Sequence, residues 1–200
     1  TNLTRNRFMY MAQRSIKLKN TFFPEPGLVE HDVDEIWSAV VTTVNAVIER
    51  VGRDNIAAIG ITNQRETVVA WSRSTGEPHG RAIVWQDRRT ADECAQLELD
   101  GLLPMVRERT GLVLDPYFSG TKFARMLRDR SVAIDGDLAL GTIDSWIIWK
   151  LTNGGVHVTD PTNASRTMLY NIVEHRWDND LCDALNVPIG ALPEVRPSSA

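Results

Sequence analysis

Cysteine is scarce in this chain. Only Cys94 and Cys182 occur in 200 residues, far apart and outside any CxxC or Cys/His spacing. Their number excludes a disulfide framework, and their spacing argues against structural zinc. The four histidines, His31, His79, His157 and His175, form no metal-ligand spacing either. There is no signal peptide and no apolar run of transmembrane length, so a reducing, cytoplasmic setting is expected. A basic surplus is also missing. The 22 Lys+Arg against 26 Asp+Glu leave a net charge of −4, which gives no reason to expect nucleic acid or an anionic membrane as a partner. Neither GxxxxGK[ST] nor GxGxxG occurs, so the common phosphate-cradling loops are absent. The chain opens on Thr1 rather than Met, and its numbering is expected to begin inside a longer protein.

What is present is ordinary for a globular protein, with 42% hydrophobic and 24% charged residues. The length suits one domain, or one domain and part of another. Phe8–Ala12 and Ser15–Lys19 read as strands, the second with lysines blunting an edge. Pro24-Glu25-Pro26-Gly27 is a turn. Asp32 caps a helix whose apolar positions, Ile36, Val40, Val44, Val47 and Ile48, keep helical spacing until Gly52. Residues 56–62, Ile-Ala-Ala-Ile-Gly-Ile-Thr, read as a strand buried on both faces. Strands over 67–72 and 82–85 follow as a hairpin around Ser74–Pro78. Helices are predicted to about Leu99, from Leu102 to Arg109, to about Arg128, over 142–151 and over 178–184, with strand-like runs at 138–141 and 168–172. This strand–helix alternation argues for α/β architecture.

Polar clusters sit at the ends of these elements, at 63–67, 85–90, 115–122, 141–145 and 159–167. In Asn63-Gln64-Arg65-Glu66-Thr67, a cation and a carboxylate stand side by side. They suit a small ligand with several hydroxyls, and they suit equally a polar hairpin turn with an exposed ion pair. In the second cluster Asp87 fits a helix N-terminus, whereas Arg88 and Arg89 do not, which favours tertiary pairing or ligand contact. Asp115-Pro116-Tyr117 reads as a loop packing against the following helix or as a site. Asp144, set in an apolar helix, needs partners and is read as a cap or a backbone acceptor ahead of any catalytic role. His157, in a Val-His-Val run, is read as structural.

Taken in order, Asn63–Thr67, Ala82–Thr90, Asp115–Lys122, Gly141–Trp146 and His157–Leu169 resemble the FGGY carbohydrate kinases, in particular members acting on glycerol. Pro26–Asp32 and Leu192–Arg196 fit as well, so the resemblance spans about residues 22–200. It implies an α/β, ribonuclease H-like, actin-type ATPase domain with a mixed sheet flanked by helices. Residues 1–200 would form the family's N-terminal domain, incomplete at its own N-terminus, with a second domain beyond residue 200. The implied reaction moves the γ-phosphoryl group of ATP to a terminal hydroxyl of glycerol, with Mg²⁺, giving sn-glycerol 3-phosphate. The implied glycerol contacts are Arg65, Glu66 and Tyr117, with Trp85 packed on the carbon chain. A homodimer or homotetramer is the implied assembly.

The chain departs from the family in one respect. The Asp-Gly-Thr-Thr phosphate turn, whose Asp serves the metal, is absent, and Thr1–Arg5 resembles it only faintly. The general base of the family falls beyond residue 200. No catalytic residue, metal ligand or nucleotide contact is therefore assigned in this segment, and the isolated segment is expected to be inactive. A kinase for another polyol or sugar, or an inactive polyol-binding or regulatory module, stays open at this point.

Overall fold

The computed structural model describes residues 20–199. The expected strands at 8–12 and 15–19 lie outside them. The first described strands are β1 (Thr21–Phe22) and β2 (Glu30–His31), joined through the Pro24–Gly27 turn. Helix α1 (Val33–Val51) begins where predicted. Asp32 keeps an extended backbone, and its carboxylate accepts from the Asp34 and Glu35 N–H groups. Gly52, at φ 80°, ends the helix.

Strand β3 (Val68–Ser72) is the centre of the sheet. It pairs antiparallel with β4 (Ala82–Ile83) and along its whole length with β5 (Leu138–Thr142), from Val68↔Thr142 to Ser72↔Leu138. The five-stranded order is β1-β2-β4-β3-β5, every neighbour antiparallel. Side chains alternate as a two-residue period demands. Val68, Ala70, Ile83, Leu138 and Leu140 face one core, with Phe123, Met126 and Leu169. Val69, Trp71, Ala82 and Ala139 face the other, with Val33, Ile143, Trp146 and Trp149. Each large aliphatic side chain buried this way stabilises by roughly 1.5–3 kcal/mol. On the second face Trp71 meets Trp146, Trp149 and His157 with ring centroids 5.4, 5.9 and 5.1 Å apart.

The remaining helices match their sequence signals. They are α2 (Ala91–Leu99), α3 (Leu103–Thr110, closed by Gly111), α4 (Ser119–Asp129), α5 (Ile143–Leu151), the single turn α6 (Pro161–Ala164) and α7 (Asn179–Ala184). Short strands complete the chain. β6 (Val158–Thr159) pairs parallel with β9 (Glu194–Val195), and β7 (Tyr170–Asn171) pairs antiparallel with β8 (Arg176–Trp177). Among the described residues no helix is long and apolar enough to cross a membrane.

One expectation fails. Residues 56–62 form no strand and are largely exposed, with Ile59 at 63% and Ile61 at 37%. Isoleucine content supplies the propensity, but a strand exists only through its hydrogen-bond partner. Among the described residues none pairs with this run. The third predicted strand is also shorter than expected: Val84 and Trp85 lie beyond the paired residues of β4.

Candidate functional site

Because β3 and β5 run antiparallel, the start of β3 lies beside the end of β5. This places the 63–67 turn next to the start of α5. Gly141 permits the close approach: a Cβ there would stand 2.6 Å from the Ser145 Cβ and 3.0 Å from the Trp71 ring.

Glu66 is 3% exposed and holds a left-handed backbone, φ 64°. That region is costly for a residue with a Cβ and is tolerated where the surroundings over-determine it. Its partner is not the adjacent Arg65. Arg166 Nε donates to Glu66 Oε1 at 2.7 Å, across 100 residues of sequence. The same guanidinium lies over Phe118 and Tyr117, 4.9 and 5.6 Å from the ring centroids. Tyr117 in turn meets Trp85 edge-on at 5.4 Å, and the Trp85 N–H donates to Thr67 Oγ1 at 3.3 Å. Glu66, Trp85 and Tyr117 are thus gathered in one place with Arg166 among them. Arg166 lies in a polar cluster that the sequence singles out, yet only the fold shows its role. Both aromatic rings are half-buried.

Arg65 points elsewhere. It is exposed and lines an open cleft of about 670 Å³ together with Asn63, Asp144 and Asp160. The exposed ion pair between Arg65 and Glu66, one of the two sequence readings, is therefore not formed.

Asp144 has a different environment. Its carboxylate accepts from Thr142 Oγ1, from Thr159 Oγ1 at 2.7 Å and from Asn63 Nδ2 at 3.3 Å. Burial pushes its pKa above the usual carboxylate value, and the two threonine hydroxyls oppose that. Both oxygens are engaged, so it ties the 63–67 turn to α5 and β6.

The 85–90 cluster is a structural hub. Asp87, fully buried, accepts from the Val29 N–H at 2.6 Å and from Arg89, whose guanidinium also reaches Glu30 at 2.9 Å. Arg88 pairs with Asp115 at 3.1 Å. Both arginines that misfit the helix dipole are thereby explained by tertiary pairing.

Lys122 carried no separate signal in the sequence. It is fully buried on α4, and its Nζ donates to the carbonyls of Pro116, Tyr117 and Phe118 at 2.7, 2.5 and 2.8 Å. Burial pushes its ammonium down to about 7, while the Asp87 and Glu66 carboxylates pull the other way. Gly120 brings this loop in: its N–H donates to the Thr167 carbonyl at 2.8 Å, and a Cβ there would collide with that oxygen. His157 is structural, hydrogen-bonded to the Leu140 carbonyl at 2.9 Å and to Arg73. Among the described residues no group of three or more His, Cys, Asp or Glu could hold a metal ion.

The order of these clusters and the fold that unites them define a carbohydrate-kinase domain. The chain belongs to the FGGY family of carbohydrate kinases and matches that family's N-terminal domain over residues 7–200. It has the actin-like ATPase fold of these kinases. Among curated relatives it is 55% identical over 182 residues to a glycerol kinase of Shewanella baltica (strain OS195), covering 88% of this chain and 37% of that protein. It is 57% identical over 195 residues to a glycerol kinase of Trichlorobacter lovleyi, covering 94% of this chain and 39% of that protein. Among solved structures it is similar to Plasmodium falciparum glycerol kinase with ADP, with TM-score 0.83, 35% identity, and 88% and 37% of the two chains covered. A gluconate kinase from Lactobacillus acidophilus shares the fold at TM-score 0.78 and 23% identity, covering 88% and 35%. The chain therefore spans under half the length of the relatives it matches.

Proposed function

We propose that this chain is the N-terminal domain of an ATP-dependent glycerol kinase and supplies much of the glycerol-binding side of its cleft. The observation that carries the reading is the buried Glu66 carboxylate, held at a left-handed turn by Arg166 beside the Trp85–Tyr117 pair. The relatives named glycerol kinase, at 55% and 57% identity, support it.

Glycerol has three hydroxyls on a short carbon chain, and the residues suit both parts. Glu66 accepts from hydroxyls, with Arg166 fixing one of its oxygens and orienting the other. Tyr117 can donate or accept through its phenol, and Arg65 can donate from the cleft side. Trp85 covers the carbon chain and keeps water from one side. Hydrogen bonds to a charged group contribute about 1.5–3 kcal/mol each. A site built from such groups rejects analogues that lack a hydroxyl, because its polar atoms would be left unpaired.

ATP and Mg²⁺ belong to the reaction as the phosphoryl donor and its counter-charge. Among the described residues no acidic cluster is fit to hold the metal, so the metal is assigned to none of them. Phosphoryl transfer rests chiefly on positioning and charge stabilisation. The part of this chain is to bind the acceptor, orient it and exclude water, and no proton transfer is given to Asp144 or Asp160.

The test is kinetic, on the full-length protein with a panel of polyols. Glycerol-dependent ADP release, strongest with glycerol, is the expected result. Turnover that prefers another polyol or a sugar, or no turnover with an intact protein, would overturn the reading.

A further inference from the structure

We infer that Lys122 is a positioning residue: its ammonium gathers three successive carbonyls and so sets where the Tyr117 ring stands against Trp85. The inference rests on the reading that Tyr117 faces glycerol, and it deepens that reading by naming what holds the ring.

The geometry is unusual in one respect. A lysine in the first turns of a helix ordinarily extends to solvent. Here Lys122 folds back toward the loop that precedes α4 and is fully buried. An ammonium has three protons, and three carbonyls converge on it: Pro116 at 2.7 Å, Tyr117 at 2.5 Å and Phe118 at 2.8 Å. Donor and acceptor numbers match one to one. Consecutive carbonyls in an extended loop would point in different directions. Their convergence on one atom therefore fixes the peptide planes on both sides of Tyr117.

The peptide between Pro116 and Tyr117 is held from its N–H edge as well. The Tyr117 N–H donates to Asp115 Oδ1 at 2.8 Å, and the same oxygen accepts from Arg88. With both peptide planes held, the ring direction follows from one side-chain torsion. The ring then rests on Trp85 at 5.4 Å and on Phe118 at 5.3 Å, under the Arg166 guanidinium. No other described side chain donates to the three carbonyls. Removing the ammonium takes this side-chain donor from all three, and the Pro116 carbonyl, on a buried residue, must move to find another.

The shape of the donor set separates this role from plain charge. A guanidinium spreads its donors in a planar fork, so an arginine cannot direct three protons to carbonyls that meet at one point. A glutamine keeps two donors and removes the charge.

The experiment uses the full-length protein with Lys122→Gln, Lys122→Arg and Tyr117→Phe, and a crystal structure of the glutamine variant. Lys122→Gln is expected to displace the Tyr117 ring from Trp85 and to raise the glycerol KM about tenfold, with the ATP KM within about twofold. Lys122→Arg is expected not to restore the glycerol KM. In the Tyr117→Phe/Lys122→Gln double variant the two losses should fall well short of their product, since one acts through the other. A Tyr117 ring that stays in place in Lys122→Gln would overturn the inference, as would losses that simply multiply. If Tyr117→Phe leaves the glycerol KM unchanged, the glycerol reading of Tyr117 fails. The ring position in the crystal then still decides the role of Lys122.

Discussion

Glu66 and Asp144 are both buried carboxylates at the same end of the β3–β5 ladder, and they are built for different work. Asp144 has neutral donors on both oxygens, two threonine hydroxyls and an asparagine amide. Glu66 is held by one arginine on one oxygen, and among the described residues its second oxygen has no protein partner. It also pays for its place with a left-handed backbone and stands beside two half-buried aromatic rings. Burial alone therefore does not mark a binding carboxylate. A saturated carboxylate braces the fold, whereas a strained and half-satisfied one, on the proposed reading, keeps an oxygen for a substrate hydroxyl.

Glu66→Ala should raise the glycerol KM by roughly one to two orders of magnitude, the loss of one or more charge-assisted hydrogen bonds. The ATP KM should change little, and steady-state kinetics on the full-length protein check both. Asp144→Ala should do the reverse. It leaves Thr142, Thr159 and Asn63 without their acceptor and is expected to lower stability by about 2 kcal/mol while the glycerol KM stays within about twofold. Urea unfolding beside the same kinetics reads this, and a large rise in glycerol KM would put Asp144 in the site.

The second face of the sheet, where His157 packs on Trp71, should answer to acid. His157 is pushed down to about 4 by burial and by the Arg73 guanidinium. An unfolded chain takes up that proton near the ordinary value of about 6.5. The folded state therefore has its full contribution above about pH 6.5 and loses it as the pH falls toward 4. Allowing for a ring that is partly exposed, the loss should reach about 1.5 kcal/mol. Unfolding midpoints across that range should slope, and His157→Gln should flatten the slope; an equally steep slope in the variant would remove His157 as its source. The smallest change is Arg65→Ala. An exposed guanidinium contributes less than a buried partner, so the glycerol KM should rise only about threefold to fivefold. A loss equal to that of Glu66→Ala would mean that Arg65 turns from its cleft toward Glu66 when glycerol binds.

Helices were the legible part of this fold because their signals are local. Asp32 and Gly52 bracket α1, and Gly111 closes α3 as the sequence indicates. Residues 56–62 misled because a strand needs a partner from elsewhere, which composition does not supply. The site divides the same way. Glu66, Trp85 and Tyr117 could be named from the ordered clusters. Arg166, a hundred residues from Glu66, could not be given its partner. Lys122 was hidden for another reason: a lysine four residues after Phe118 reads as an exposed helix position until its three carbonyls are seen. The mismatched arginines at 88 and 89 were an intermediate case, a local anomaly whose tertiary cause, Asp115 for one and Asp87 with Glu30 for the other, needed the structure.

The most direct test is a paired measurement of glycerol and ATP KM for Glu66→Ala and Asp144→Ala in the full-length protein. The expected result is a glycerol KM raised at least about tenfold in the first variant and nearly unchanged in the second, with the ATP KM steady in both. Equal glycerol KM values in the two variants would contradict the assignment of Glu66 to the substrate.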